Sequence, residues 1–297
     1  MLRAWAGLGY YRRAHHLHAA AQVVVRDHGA RVPSDPEAFA ALPGVGRYTQ
    51  GAVLSIAFGQ PLPVLDGNVA RVLARLFALA LSVREPAGAK RLWKLAADLV
   101  PMRAPGDWNQ ALMELGATVC LPRSPRCEVC PLATHCAARA EGRPERYPSP
   151  APRRAALKVR RAVAMIRRGP RLLVRRLEGP LLEGLWEPPG VELELGSSAA
   201  RPLAAHLRAL GVSARLADSG ARVRHTITHR AIEVELWEGA LGAPVPRGAA
   251  LRWVDLDAPA VALTALTRKL PRAARAPAGA ARNGLEIALK RGGARRR

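Results

Sequence analysis

The spacing of apolar and polar positions changes period once along this chain, and the change divides it. As far as about residue 142, apolar side chains recur at helical spacing. Leu17, Ala20, Ala21, Val24 and Val25 form the apolar face of a helix predicted from Arg12 or Arg13 to Asp27, with Gly29 past its end as a stop. Ser34 or Asp35 opens a short helix through Leu42. A second helix is predicted from about Arg47 to Phe58, and others over Gly67–Ala80, over Pro86–Val100 and from near Asp107 towards Cys120. A Pro- and Arg-rich stretch follows, and then the period shortens to that of strands, predicted over Lys158–Ile166, Arg171–Arg176, Ala221–Thr228 and Ala231–Glu238. One helix fits Ala200–Leu210. The expectation is an α + α/β two-domain chain. An all-α domain covers 1–142, a stiff linker 143–156, an α/β domain 157–270, and a basic tail without regular structure 271–297.

Composition narrows the class. Of 297 residues 49% are hydrophobic, enough for two cores. No apolar run approaches the ~18 residues that a membrane helix needs, and the first residues lack signal-peptide anatomy. No membrane partner and a cytoplasmic, nucleoid-associated location are therefore expected. The net charge of +23 favours a polyanionic partner. Arginine far outnumbers lysine, and Ala, Gly and Pro are abundant, as coding bias would produce, so charge supports nucleic-acid binding without establishing it.

Three local patterns carry candidate chemistry. Leu42-Pro43-Gly44-Val45-Gly46 joins two helical segments. It reads either as an ordinary turn or as a tight hairpin in which glycine takes positive φ and the next helix offers free N–H groups to a phosphate. Asp66 precedes a new helix within Leu65-Asp66-Gly67-Asn68-Val69, where it can cap that helix or supply a carboxylate to a site. All four cysteines stand as Cys120-x6-Cys127-x2-Cys130-x5-Cys136. Disulfides do not suit a cytoplasmic chain, and the spacing alone leaves zinc and a [4Fe–4S] cluster both open. Tyr10 and Tyr11 follow a Gly7-Leu8-Gly9 turn, either as half-buried aromatics or with one ring free to wedge into a base stack. His15, His16 and His18 read as solvated or lightly packed, not as metal ligands, and Glu37 as a surface residue early in its short helix.

The hairpin and Asp66 together resemble the helix-hairpin-helix unit of base-excision DNA glycosylases, and the cysteine spacing resembles the cluster loop of the endonuclease III and adenine glycosylase families. Leu185-Trp186-Glu187-Pro188-Pro189-Gly190 resembles the lead-in of a Nudix domain. Gly190, Gly211 and Val212 stand in register with the Nudix metal box, but its arginine and glutamate positions hold Gly196, Ala204, Ala205, Arg208 and Ala209, so no oxygen ligands remain for magnesium. In this order the motifs resemble the adenine DNA glycosylases (MutY-type), which act on A opposite 8-oxoguanine, from about Leu2 to Leu270.

The resemblance implies a [4Fe–4S] cluster on Cys120, Cys127, Cys130 and Cys136 in preference to zinc, and a monomer bound to double-stranded DNA with A:8-oxoguanine or A:G mispairs. It implies Gly44, Val45, Gly46, Tyr10, Arg123 and Arg126 as DNA contacts, and Asp66, Asn68 and Tyr48 at the catalytic site. Tyr48 stands where endonuclease III-type enzymes carry a Schiff-base lysine, so a monofunctional glycosylase is expected. A Nudix-like fold that does no hydrolysis would read the lesion through Thr228 and His229, with Ile227 where the family has Phe. The family's catalytic glutamate lies upstream of Gly7-Leu8-Gly9-Tyr10, and this chain opens six residues before that turn. The expectation is an N-terminally truncated family member, from a late start or a truly short chain, with helical faces short of partners and little activity as written. The alternative is a non-catalytic binder of oxidised DNA.

Overall fold

A computed structural model describes residues 1–82, 85–149, 155–179, 182–194, 196–246, 248 and 250–270. The expected basic tail and the middle of the expected linker lie outside these residues. The chain forms two compact units, one of residues 15–153 and the other of residues 1–14 with 154–297.

The helical unit holds most of α1 (Arg12–Asp27), then α2 (Pro36–Ala40), α3 (Arg47–Phe58), α4 (Gly67–Leu76), α5 (Pro86–Leu99), α6 (Pro105–Thr118) and α7 (Ala137–Ala140). Asp35 starts α2 by accepting the Ala38 N–H at 2.9 Å. The centre of the unit is α4, whose Val69, Val72 and Leu73 are buried against Leu92 of α5 and Leu112 of α6. Each such side chain contributes ~1.5–3 kcal/mol by leaving water. At Gly116 in α6 a Cβ would stand 2.6 Å from the Asn68 Cβ, so α6 and the start of α4 approach closely only because no side chain intervenes.

Several boundaries differ from the sequence expectation. Helix α4 ends at Leu76, short of Ala80, because Ala78 turns left-handed (φ 47). Helix α6 starts at Pro105 after a left-handed Ala104. On α1, Leu17 and Val25 are 60% and 65% exposed. The side chains that pack are Ala20, Val23 and Val24, against Phe39, Leu42 and Leu54. The front of the expected linker is structured: Tyr147 is buried in the helical core, its hydroxyl donates to Glu141, and the Ser149 N–H donates to the Leu81 carbonyl.

The other unit is built on β1 (Leu157–Arg168), which pairs in parallel with β6 (Arg230–Leu241) and antiparallel with β4 (Gly190–Leu193) and β2 (Arg171–Arg176). β5 (Ala214–Ile227) pairs with β6; β3 (Trp186–Glu187) and β7 (Leu251–Asp255) pair with β2. Residues 162–166 of β1 are all buried because both faces of the sheet are covered. Ala162, Ala164 and Ile166 meet Leu203 and Leu207 of α8 (Ala200–Ala209), while Val163 and Met165 share a core with Leu266 of α9 (Ala265–Lys269). β5 is longer than its alternation suggests, since the register shifts between Asp218 and Arg222. Thr228 is not in a strand; it turns the β5–β6 hairpin with φ 54. Leu2, Trp5 and Tyr11 pack with Leu182, Leu185 and Ala262, so the first fourteen residues fall within this compact unit.

Candidate nucleic-acid and catalytic site

The hairpin has the tightness expected of it, with the burden on one glycine. Gly44 takes φ 79, and a Cβ there would meet the His16 Cβ at 2.4 Å. Gly46 has an ordinary φ of −102 and caps α3, so of the two glycines only Gly44 uses the left-handed region. A Cβ at Gly46 would meet nothing within 4 Å, which leaves open space before the α3 N–H groups, and no side chain caps them. Arg47, the first residue of α3, lies over the Trp93 ring at 4.0 Å. His16 therefore backs the hairpin, a role that the sequence reading did not assign.

Asp66 is a cap and more than a cap. Its Oδ1 accepts the Val69 N–H at 2.7 Å, which fixes the carboxylate at the start of α4. Tyr48, 40% exposed, donates its hydroxyl to Met113 Sδ at 3.4 Å. Burial first, and then the charge of Asp66, hold the phenol above its usual pKa. The charge of Asp66 therefore reaches the Tyr48 phenol. Asn68 joins it through Arg71, whose Nη2 donates to Asn68 Oδ1 at 2.9 Å and to the Gly116 carbonyl at 2.7 Å, and whose Nε donates to the Cys120 carbonyl at 2.8 Å.

One turn along α4, Arg75 is 2% exposed. It donates to the carbonyls of Tyr147, Leu121 and Pro122, and its Nη1 reaches Cys120 Sγ at 3.3 Å. The sequence reading missed Arg71 and Arg75. Their only signal is i, i+4 spacing on a helix, which also describes an exposed basic face.

The four thiols line one small pocket together with Arg75, Arg126 and Arg139. Burial, and then Cys136, Cys120 and Cys130, push the Cys127 thiol up, with Arg75 pulling the other way. The loop is tied down by the Ser124 N–H on Glu145 Oε1 at 2.7 Å. Arg123 and Arg126 are exposed on it. Among the described residues no three His, Cys, Asp or Glu side chains are grouped so as to hold a metal ion. Four thiols around one pocket are the donor set of a tetrahedral zinc ion and equally of a cluster in which each iron takes one thiolate.

In the other unit Tyr10 is 79% exposed with φ 46, beside Arg13, whose guanidinium lies 5.6 Å from its ring. Thr228 Oγ1 donates to its neighbour's carbonyl at 2.7 Å and sits 3.4 Å from His229 Nδ1 on the exposed hairpin tip. Helix α8 carries Ala204, Ala205, Arg208 and Ala209, so the face where the Nudix box would hold a cation has no carboxylate on it.

These features define a helix-hairpin-helix base-excision fold with a cysteine loop, joined in sequence to a Nudix-like α/β unit. Family profiles agree. Residues 1–99 match the HhH-GPD superfamily of base excision DNA repair proteins, residues 120–136 the iron-sulfur binding domain of endonuclease III, and residues 161–273 the NUDIX domain. An adenine DNA glycosylase of Arabidopsis thaliana is 42% identical over 213 residues, 66% of this chain and 34% of that protein. The adenine DNA glycosylase of Homo sapiens is 52% identical over 136 residues, 46% and 25% of the two chains. That of Mycobacterium tuberculosis is 50% identical over 149 residues, 48% and 47%. By sequence, then, the chain groups with the adenine DNA glycosylases, as its motifs implied. It spans between a quarter and a half of the length of these relatives.

Proposed function

We propose that this chain serves base-excision repair as a monofunctional glycosylase that removes adenine opposite 8-oxoguanine, or opposite guanine, by hydrolysis of the N-glycosidic bond. It acts as a monomer on double-stranded DNA in the cytoplasm, on the nucleoid. The observation that carries the reading is the charge of Asp66, at the start of α4, reaching the Tyr48 phenol beside the hairpin.

Each residue then has a physical task. The uncapped α3 N–H groups behind Gly44, Val45 and Gly46 take a backbone phosphate. Tyr10 wedges into the stack while the adenine is turned out of it. Asp66, held by its own cap, stabilises positive charge developing on the sugar. Tyr48 stays a neutral phenol at the adenine pocket and cannot form a Schiff base. Arg71 orients Asn68 beside the sugar. Thr228 and His229 contact the oxidised guanine. Cys120, Cys127, Cys130 and Cys136 hold a [4Fe–4S] cluster, which when bound crosslinks the loop and presents Arg123 and Arg126 to the DNA backbone. A visible iron absorbance band, lost in Cys130→Ser, distinguishes it from zinc.

Asp66→Asn tests the reading cleanly, because Asn is also a good N-cap and the helix is kept. With this substitution, single-turnover release of adenine from an A:8-oxoguanine duplex should fall at least about 100-fold while binding persists. Unchanged turnover overturns the assignment.

A second reading is a binder of oxidised DNA that does not cut. It is favoured by the groups whose electrostatics couple to Asp66: Tyr48, a phenol whose raised pKa makes it hold its proton tightly at neutral pH, and Arg71, a guanidinium cation, neither of which readily gives a proton to a departing base. It expects the 297-residue chain to bind 8-oxoguanine duplexes in preference to undamaged ones without product, and product formation rules it out. A nucleotide pyrophosphohydrolase is disfavoured by the carboxylate-free α8.

A further inference from the structure

The indole of Trp93 on α5 has no part in the chemistry above. The Arg47 guanidinium lies over it, with Cζ 4.0 Å from the ring centroid. The other cation–π contacts among the described residues lie between 5.2 Å and 5.6 Å. At 4.0 Å the guanidinium carbon is in van der Waals contact with the ring. Contact that close favours a guanidinium plane laid along the indole over one stood on edge. Trp93 is half-buried and Arg47 exposed, so the ring is anchored in the helical unit and the arginine rests on it from the solvent side.

The charge of Arg47 is uncommitted. Helix α3 carries no acidic side chain, and the single carboxylate of α5, Asp98, is paired with Lys94 at 3.0 Å. A stack of this kind uses only the face of the guanidinium. Its N–H donors lie in the plane and point away from the stack, where their fork matches phosphate oxygens in pairs. A salt bridge would have occupied those same donors. The indole holds the side chain and leaves them free.

The position of the stack gives these donors a target. Arg47 is the first residue of α3 and follows Gly46, where a Cβ would meet nothing within 4 Å. A phosphate taken by the α3 N–H groups therefore has a guanidinium at the first turn of the same helix. We infer that Trp93 is a positioning residue for DNA binding, which holds Arg47 so that its donors reach a phosphodiester at the hairpin. The inference rests on the hairpin meeting the DNA backbone, as proposed above. What Trp93 adds is preorganisation. A long side chain loses rotamer freedom when an interface immobilises it, and an arginine already resting on an indole has lost part of that freedom in the free protein.

The test is a double-mutant cycle on duplex binding by the 297-residue chain, with affinity read by fluorescence anisotropy across a salt titration. Arg47→Ala should lower the slope of log affinity against log salt by about one, the value for one lost phosphate contact. Trp93→Leu should weaken binding about two- to tenfold in the parent, the range that ordering one long side chain produces. In the Arg47→Ala background it should have no further effect. Trp93→Phe keeps an aromatic face and should recover most of the loss, and thermal midpoints show that each variant is folded. A tryptophan that only supports the fold gives another pattern, in which Trp93→Leu weakens binding equally in both backgrounds. That outcome overturns the inference, and so does a salt slope indifferent to Arg47→Ala. A parent chain that binds no duplex overturns the hairpin reading and this inference with it, whereas duplex binding that ignores both residues overturns this inference alone.

Discussion

Replacing Arg75 by Met keeps an apolar stem of similar length and removes the guanidinium from the centre of the helical unit. The charge leaves with the side chain, so no unpaired cation is buried. What remains is a set of acceptors: the carbonyls of Tyr147 at 3.0 Å, Leu121 at 2.6 Å and Pro122 at 3.0 Å, with Cys120 Sγ at 3.3 Å. Hydrogen bonds from a charged donor contribute ~1.5–3 kcal/mol each. Leu121 and Pro122 are not fully buried, so water replaces part of what they lose. Tyr147 is 7% exposed, and its carbonyl bears the full loss. The helical unit should therefore lose roughly 3–4 kcal/mol. Urea unfolding followed by far-ultraviolet circular dichroism, which the helical unit dominates, measures this, with each unit fitted as its own transition. A loss below about 1 kcal/mol would refute the reasoning, because it would mean that solvent already serves these carbonyls.

Gly116→Ala should also destabilise the helical unit, since its Cβ would stand 2.6 Å from the Asn68 Cβ and 3.0 Å from Asn68 backbone atoms. Ordinary carbon contacts lie near ~3.5–4.0 Å, so α4 and α6 must part by about 1 Å at a cost of ~1–3 kcal/mol. Urea denaturation reads that cost, and a neutral substitution contradicts the close approach. In Tyr48, burial and then Asp66 raise the phenol. Asp66→Asn should bring its ultraviolet titration back towards 10, though not all the way, and an unmoved titration would separate the two residues. The tyrosine's contribution to stability should be intact below about pH 10 and decline as pH rises through the raised value. His206 and His225 are both depressed, His206 by burial, Arg175 and Arg161, and His225 by burial, Lys269 and Arg161 against an opposing Glu187. Below the ordinary value of 6.5 the unfolded chain takes up protons that the folded unit resists, so stability is full above that pH and falls beneath it. Thermal midpoints of the α/β unit should drop between about pH 7.5 and pH 5.5, and His206→Gln should flatten the drop.

Much of this was legible before any coordinates. Asp35, Asp66 and Gly29 mark helix ends where local chemistry decides, because a cap or a left-handed glycine acts within a few residues of itself. The cysteine spacing and the emptied Nudix box are likewise properties of short stretches. The paired Arg71 and Arg75 were not legible. An arginine on a helix is exposed by default, and only the return of the Cys120 loop and Tyr147 surrounds Arg75 with carbonyls. Leu17 and Val25 failed in the opposite direction: helical periodicity shows which positions share a stripe, not which edge of the stripe meets a neighbour.

By itself the sequence determined the change from helical to strand period, the hairpin with its following aspartate, the absence of a Schiff-base lysine at Tyr48, and the loss of oxygen ligands from the Nudix box. These depend on residue type and on spacing along the chain. Only the tertiary structure decided that the charge of Asp66 reaches Tyr48, that Arg71 ties Asn68 to the cysteine loop, and that positive φ in the hairpin falls on Gly44 and not on Gly46. Those facts depend on which distant residues the packed helices and strands bring within a few ångströms, and that is set by burial and close approach across the fold, not by any local run of residues.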